Sequence, residues 1–159
     1  MKQSLAHANR MLKLFGFFKV PLIWYCRPRI LQLDEEQVKV LIPLKRRTKN
    51  HLNSMYFGTL AVGADVAGGF MAMSKAEARG KRISLAFKAV TGEFLKRPEA
   101  DVIFTCNDGK LIDKMLDETL ATGERVNQPV RITATCPSLH GDEPMAVFDL
   151  TLSVKVARS

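Results

Sequence analysis

Residues 50–78, NHLNSMYFGTLAVGADVAGGFMAMSKAEA, decide the fold of this chain. The stretch opens with Asn50, Asn53 and Ser54, short polar residues of the kind that cap the free N–H groups of a helix start. Residues 55–73 are almost entirely apolar or small, and the one acid among them is Asp65. A helix that is apolar on nearly all sides is a buried helix. We therefore predict one long core helix over residues 50–78.

The four glycines and the acid inside this helix each need a physical reason. An interior glycine costs roughly 1 kcal/mol relative to alanine, so the close approach of a backbone or a ligand must offset it. A bare buried carboxylate is also costly, so Asp65 requires a partner or a functional role. Two other interpretations are open. One is an ordinary core helix with Asp65 bonded to a neighbouring backbone, and the other is a membrane span, which the charge and the glycines disfavour.

Residues 50–65, NHLNSMYFGTLAVGAD, resemble the central-helix motif of the hotdog-fold acyl-CoA thioesterases. The resemblance is closest to an uncharacterised bacterial branch of that superfamily, and the order of elements extends it over about residues 25–156. Two positions depart from the family pattern. Asn53 stands where glycine is usual, and Tyr56 stands where many members have histidine.

The resemblance implies an α+β hotdog fold, in which a curved antiparallel sheet wraps around one long central helix, here with an extra N-terminal helix. It implies a thioester hydrolase that acts on an acyl-CoA or acyl-carrier substrate at a homodimer interface, in a dimer or a tetramer. It implies no metal, and no cofactor other than the coenzyme A moiety of the substrate. The departures at positions 53 and 56 motivate an alternative, a hotdog protein that binds acyl groups or acyl thioesters without hydrolysing them.

The resemblance also assigns roles to residues. Asp65 matches the acidic position and would be the general base or nucleophile, and Asn50 would orient water or the thioester. The N–H groups around Tyr56 to Gly58 would polarise the carbonyl. Asp65 lies about 13 Å along the helix from Tyr56, so one protomer reaches both with difficulty and a second subunit is part of the mechanism. The candidate substrate-binding residues are Asn53, Ser54, Tyr56, Phe57, Gly58, Arg46, Arg47 and Lys49.

The net charge of +8 is concentrated in residues 1–50, whereas residues 51–159 are neutral. Four cations crowd into residues 45–49, KRRTK, just before the predicted helix. A basic loop at a helix N-terminus suits an anion, which in a coenzyme A protein would be the nucleotide phosphate. The other interpretation is a solvated basic turn. We predict no nucleic-acid partner, since no recognised binding module accompanies the charge.

The N-terminal region combines helical spacing with cations. Residues 2–18 place apolar residues at helical intervals, and Pro21 breaks or kinks any helix that continues. Residues 10–29 would then lie on a membrane surface or over an acyl chain, or simply pack on the outside of the domain. Three widely spaced cysteines and the lack of an evident secretory signal lead us to expect reduced thiols in the cytoplasm.

Period-2 alternation predicts the sheet. We predict strands over residues 30–33, 38–44, 83–95, 102–106, 130–136 and 148–156, and a short helix over residues 110–122. A bulge is expected at Gly92, an edge or bulge position at Pro43, and a turn over residues 137–144. Residues 1–159 then form a single domain, with an N-terminal extension over residues 1–28 and a hotdog core over residues 29–156.

Overall fold

A computed structural model describes residues 4–158. The helices are α1 (Leu5–Lys19), α2 (Pro21–Cys26), α3 (Phe57–Ala78), α4 (Gly109–Thr122) and α5 (Pro137–His140). The strands are β1 (Arg29–Leu33), β2 (Val38–Ile42), β3 (Ile83–Phe94), β4 (Val102–Cys106), β5 (Val126–Thr135) and β6 (Pro144–Val156). Within residues 4–158 the strands form one antiparallel sheet in the order β1-β2-β4-β5-β6-β3.

The core lies between the sheet and α3, and the predicted α+β hotdog arrangement is confirmed. Fourteen of the 22 residues of α3 are buried. Along the central strands, buried residues alternate with more exposed ones, as predicted. The buried faces of these strands pack in one core with α3 through Phe104, Ile132 and Leu152. By length and composition alone α3 is long and apolar enough to cross a membrane. However, 72% of its most apolar 18-residue stretch is buried inside the protein. The apolar surface of α3 is therefore buried against the protein's own sheet.

The predicted start of the central helix is wrong, because α3 begins at Phe57 and not at Asn50. The Asn50 side chain does not cap the helix. Its Oδ1 accepts hydrogen bonds from the N–H of Leu52 at 2.9 Å and the N–H of Ser54 at 3.2 Å. Residues 50–56 therefore form a loop that closes on itself, and Tyr56 occupies the N-cap position without a side-chain capping bond.

Two predicted strand details are also wrong. The irregularity in β3 falls between Phe87 and Ala89, while Gly92 pairs regularly with Phe148. β2 ends at Ile42, so Pro43 lies outside the strand. The predicted turn over residues 137–144 does connect β5 to β6, and it includes a single helical turn, α5, with Pro137 at its start. β5 and β6 also begin earlier than the alternation indicates. Their antiparallel pairing runs from Val126 opposite Val154 to Thr135 opposite Pro144, so it includes the first residue of each strand.

The two edges of the sheet differ. At the β1 edge, the Asn9 side chain of α1 binds the backbone of Ile30 twice: Oδ1 accepts from its N–H at 2.8 Å and Nδ2 donates to its carbonyl at 3.0 Å. At the other edge, no strand within residues 4–158 pairs with the outer side of β3. β3 is 12 residues long and its second half is exposed on both faces. One edge of the sheet is thus covered by α1 and the other is open.

Candidate functional site

Asp65 lies in the wall of an apolar cavity of about 220 Å³ between the N-terminal helices, α3 and β3. The spacing of four residues places Asp65 and Gly69 on the same face of α3. The cavity is lined by Leu12, Phe15, Val20, Ile23, Asp65, Val66, Gly69, Phe70, Met73, Leu85, Ala86 and Phe87. Asp65 is the one charged residue in this lining.

The Asp65 carboxylate has no hydrogen-bond or ion-pair partner among residues 4–158, and burial raises its pKa above the ordinary value of 3.8. In the described part of the chain every fully buried side-chain oxygen and nitrogen is hydrogen-bonded. The unbonded oxygens of Asp65 must therefore be reachable by a water-sized molecule. A carboxylate that is partly desolvated, unpaired and in contact with water is a competent general base.

The Asn50 loop borders a second concavity, of about 390 Å³. Its lining comes from the loop, the start of α3 and the end of β3: Asn50, Ser54, Met55, Phe57, Leu60, Phe94, Leu95, Lys96, Arg97 and Pro98. Ser54 is buried, and its hydroxyl lies 3.2 Å from Asn50 Oδ1. The amide oxygen of Asn50 is thus occupied within the loop.

Asn53 adopts the left-handed backbone conformation, with φ of 58°. Glycine is usual in that conformation, and asparagine is among the few other residues that tolerate it. The departure from the family pattern at this position therefore preserves the backbone of the loop.

The N–H groups at the start of α3 are not all free. Tyr56 donates its N–H to the carbonyl of Thr48 at 2.8 Å, so it does not point at a substrate as predicted. This leaves the N–H groups of Phe57 and Gly58, at the first turn of the helix, as candidate carbonyl-binding groups. The Tyr56 ring lies against Gly58, where an added Cβ would stand 2.7 Å from its Cε1. Both aromatic side chains, Tyr56 and Phe57, are more than half exposed.

The basic loop is held by a threonine. Thr48 is fully buried, and its hydroxyl donates to the carbonyl of Pro43 at 2.7 Å and accepts from the N–H of Lys45 at 2.9 Å. The cations Arg46, Arg47 and Lys49 are exposed. With Tyr25 of α2, Lys45, Arg46 and Arg47 line an open surface concavity of about 490 Å³.

Residues 8–146 match the model of a family described as a domain of unknown function, DUF4442. The chain belongs to the DUF4442 family. Among curated proteins, none matches the sequence.

Solved structures resemble this DUF4442 protein over nearly their whole length. A Pseudomonas aeruginosa protein of unknown function, described as a probable thioesterase, has 18% sequence identity and a TM-score of 0.79, with 99% of both chains covered. A Chlorobaculum tepidum protein of unknown function has 13% identity and a TM-score of 0.82, with 96% of both chains covered. Zebrafish thioesterase superfamily member 2 has 11% identity and a TM-score of 0.67, covering 98% of this chain and 99% of its own. These likenesses confirm the hotdog fold.

Within one copy of the DUF4442 chain, the two candidate catalytic residues lie in different places. The Asp65 cavity and the Asn50 concavity share no lining residue. The structure therefore brings Asn50 together with Ser54 and Phe57, and it brings Asp65 together with the N-terminal helices, but it does not bring Asn50 to Asp65.

Sequence reasoning missed most of the cavity wall. Leu85 and Phe87 lie two residues apart on β3, so their shared face could have been found from the alternation. One of the interpretations of residues 10–29 placed them over an acyl chain, but which of their side chains face the cavity, here Leu12, Phe15 and Ile23, depends on where α1 and α2 pack. The three cysteines are buried, and burial raises the pKa of the Cys106 thiol to about 11, so none is a candidate nucleophile. Among residues 4–158, no group of three or more His, Cys, Asp or Glu residues is placed to bind a metal ion.

Proposed function

We propose that this chain hydrolyses acyl thioesters, with Asp65 as the general base and the apolar cavity beside it as the acyl site. The observation that carries the proposal is the unpaired Asp65 carboxylate in the wall of an otherwise uncharged cavity. Two structural neighbours, the Pseudomonas protein and the zebrafish protein, are described as thioesterases, which supports thioester hydrolysis as the reaction class.

The size of the cavity suggests the acyl group. A cavity of about 150 Å³ is enough to hold benzene. The cavity beside Asp65 is about 220 Å³. It suits a linear or aromatic acyl group of about six to ten carbons.

In the proposed reaction, the oxygen of a water molecule attacks the thioester carbonyl carbon while Asp65 accepts one of its protons. The N–H groups of Phe57 and Gly58 stabilise the oxyanion that forms. The C–S bond then breaks, the sulfur leaves with the proton that Asp65 returns, and the products are a carboxylic acid and a free thiol. Arg46, Arg47 and Lys49 would bind the phosphates of coenzyme A, which is part of the substrate.

A second copy of the chain is part of the proposal, because one copy does not join Asp65 to the Asn50 loop. Long open edge strands with apolar side chains are templates for pairing, and β3 has exposed Val90 and Phe94. The Phe94 ring continues this surface to Phe57, at 5.7 Å between ring centroids. A two-fold antiparallel pairing of β3 with β3 would bury both rings and form a homodimer, alone or within a tetramer. The buried, reduced cysteines suit a cytoplasmic enzyme.

The test is thiol release from short, medium, long and aromatic acyl-CoAs by the natural protein, by Asp65→Asn and by Asp142→Asn. Asp142 is exposed and lines neither concavity, so its variant is the matched control. The buried cysteines keep the background of a thiol reagent low. We expect turnover that Asp65→Asn lowers by about 100-fold or more and Asp142→Asn leaves unchanged. Equal activity of all three proteins would rule out Asp65 as the base.

A second candidate function is the binding of acyl groups or acyl thioesters without hydrolysis. The observation that favours it is that Asn50 Oδ1 and the Tyr56 N–H are both occupied by bonds within the chain. This function predicts acyl-CoA binding with no thiol release across the whole panel, and an acyl ligand that co-purifies with the protein and is detected by mass spectrometry.

A further inference from the structure

The outer surface of α1 and α2 is apolar and aromatic although it faces solvent. We call the exposed side chains of Leu14, Phe17, Phe18, Leu22 and Tyr25 the outer face. Phe18 is 71% exposed and Leu22 is 59% exposed. The Phe17 ring joins the two helices, since its centroid lies 5.0 Å from that of Phe18 and 5.5 Å from that of Trp24. Aromatic contacts therefore connect the parts of the outer face on α1 and α2.

Cations are interspersed along the segment that carries the outer face, and no acid lies in that segment. Residues 1–33 contain six lysines and arginines and no Asp or Glu. The Arg27 guanidinium lies 4.1 Å from the centre of the Trp24 ring. A concavity of about 410 Å³ beside Trp24 is lined in part by Lys13, Trp24, Arg27 and Arg29. This arrangement provides room and positive charge for a phosphate group next to exposed apolar side chains.

We infer that the outer face docks on an anionic phospholipid bilayer. The helices have 15 and six residues, too short to span a bilayer, so they would lie in its surface. Aromatic rings and leucines enter the interfacial layer of a membrane, and lysines and arginines bind its phosphates. The charge of residues 1–33 is complementary to anionic lipid.

An identical copy of the chain is a poorer occupant of this face. A two-fold contact of the outer face with itself would bring two sets of cations together with no acid in either segment. Like charges placed opposite each other across an interface oppose association.

Docking would also place the Asp65 cavity close to lipid. The inner side of the same two helices lines that cavity through Leu12, Phe15 and Ile23. One helix diameter, about 10 Å, then separates the cavity from the bilayer surface. The membrane inference does not depend on whether the protein hydrolyses the ligand that this cavity binds.

The first experiment is co-sedimentation of the full chain with vesicles of phosphatidylcholine alone, and with vesicles containing about one-third phosphatidylglycerol. Two double variants test the two contributions to binding. Phe18→Ser/Leu22→Ser tests the apolar side chains of the outer face, and Lys13→Glu/Lys19→Glu tests the cations beside it. Leu139→Ser, at 55% exposure on α5, and Lys114→Glu, on the exposed side of α4, are the matched controls. Urea unfolding checks that each variant is folded.

We expect the natural protein to bind the anionic vesicles in about 0.1 M salt and to be released in about 0.5 M salt. The serine pair should weaken binding by about tenfold, the glutamate pair by roughly 30-fold, and the controls by less than about twofold. The inference is overturned if the natural protein does not bind the anionic vesicles, or if the control variants lose as much binding as the outer-face variants.

The second readout is the emission of Trp24, the single tryptophan of the chain, which contacts this face. We expect its emission to shift to shorter wavelength on anionic vesicles and to be quenched by brominated lipid. A change in oligomeric mass caused by the outer-face variants, with vesicle binding and Trp24 emission unaffected, would identify the face as a contact between copies and overturn the membrane inference.

Discussion

The ring of Phe104 occupies the space that a side chain at Gly63 would need. A Cβ added to Gly63 of α3 would lie 2.2 Å from two atoms of that ring, and Phe104 is fully buried in β4. The glycine therefore allows α3 to lie close against the middle of the sheet. This contact is the close approach that offsets the cost of a glycine inside a helix.

Gly63→Ala should destabilise the protein by about 1–3 kcal/mol, since overpacking outweighs the better helix propensity of alanine. Gly69→Ala is the matched control on the same helix, because its added Cβ meets nothing closer than 3.6 Å. Urea unfolding should show a lower midpoint for Gly63→Ala and an unchanged or higher midpoint for Gly69→Ala. Equal midpoints for the two variants would mean that the ring of Phe104 moves aside freely.

The contact between Gly63 and Phe104 illustrates which features of the fold could be predicted from the sequence and which could not. The glycines and the apolar run were enough to predict a buried helix under a sheet, because period and composition are local signals. The start of α3 was not predictable from Asn50 and Ser54, because the same side chains close loops and cap helices. Asp65, Leu12 and Phe15 line the same cavity only because of tertiary packing. The candidate site could therefore be predicted only in part from the sequence.

Asp65→Asn should make the folded protein more stable at neutral pH. Burial raises the pKa of Asp65 in the folded state above its unfolded value of 3.8, so the folded state holds the proton more tightly. The contribution of protonated Asp65 is fully present below about pH 3.8 and is lost as pH rises through the folded pKa. The stability advantage of the asparagine variant should therefore be largest at neutral pH and disappear in acid. Urea unfolding as a function of pH measures it, and a variant that is less stable at pH 7 would show that the carboxylate has a stabilising partner.

The same raised pKa should appear in catalysis. If Asp65 is the general base, kcat/KM for an acyl-CoA falls as pH decreases, by about tenfold per pH unit below the pKa of the free enzyme. The midpoint of this acid limb should lie above 3.8, because burial disfavours the ionised form. The residual activity of Asp65→Asn should lack the limb. An identical pH profile in the two proteins would assign the limb to another group.

The ion pair between α3 and α4 predicts a stability effect away from the site. Lys75 is only 9% exposed, and its Nζ lies 2.9 Å from Asp113 Oδ2, while Arg79 lies 3.0 Å from Asp113 Oδ1. Asp113→Ala removes the carboxylate from both cations and should cost about 1–3 kcal/mol. Asp117, at 69% exposure, bonds Arg79 alone at 3.3 Å, so Asp117→Ala should cost less than about 0.5 kcal/mol. Thermal unfolding of the two variants should separate them clearly, and equal losses would contradict the role given to the buried lysine.

Gly69→Ala should shorten the acyl chain that the proposed enzyme prefers. The added methyl would lie 3.6 Å from Leu85 and 3.9 Å from Asp65 Oδ1, inside the cavity of about 220 Å³. We expect kcat/KM to fall by about tenfold for the longest acyl-CoA that the natural protein accepts, and to change little for the shortest.

Gly68→Ala is the control for this change, since Gly68 does not line the cavity. Its methyl would lie 3.4 Å from Ile132 and Val130 and 3.7 Å from Cε1 of the Phe87 ring. It should leave the chain-length profile unaltered. If both variants shift the profile equally, the effect comes from movement of α3 as a whole. If neither shifts it while both hydrolyse the panel normally, the acyl group binds elsewhere, and the open β3 edge beside Phe57 and Phe94 becomes the place to look for it.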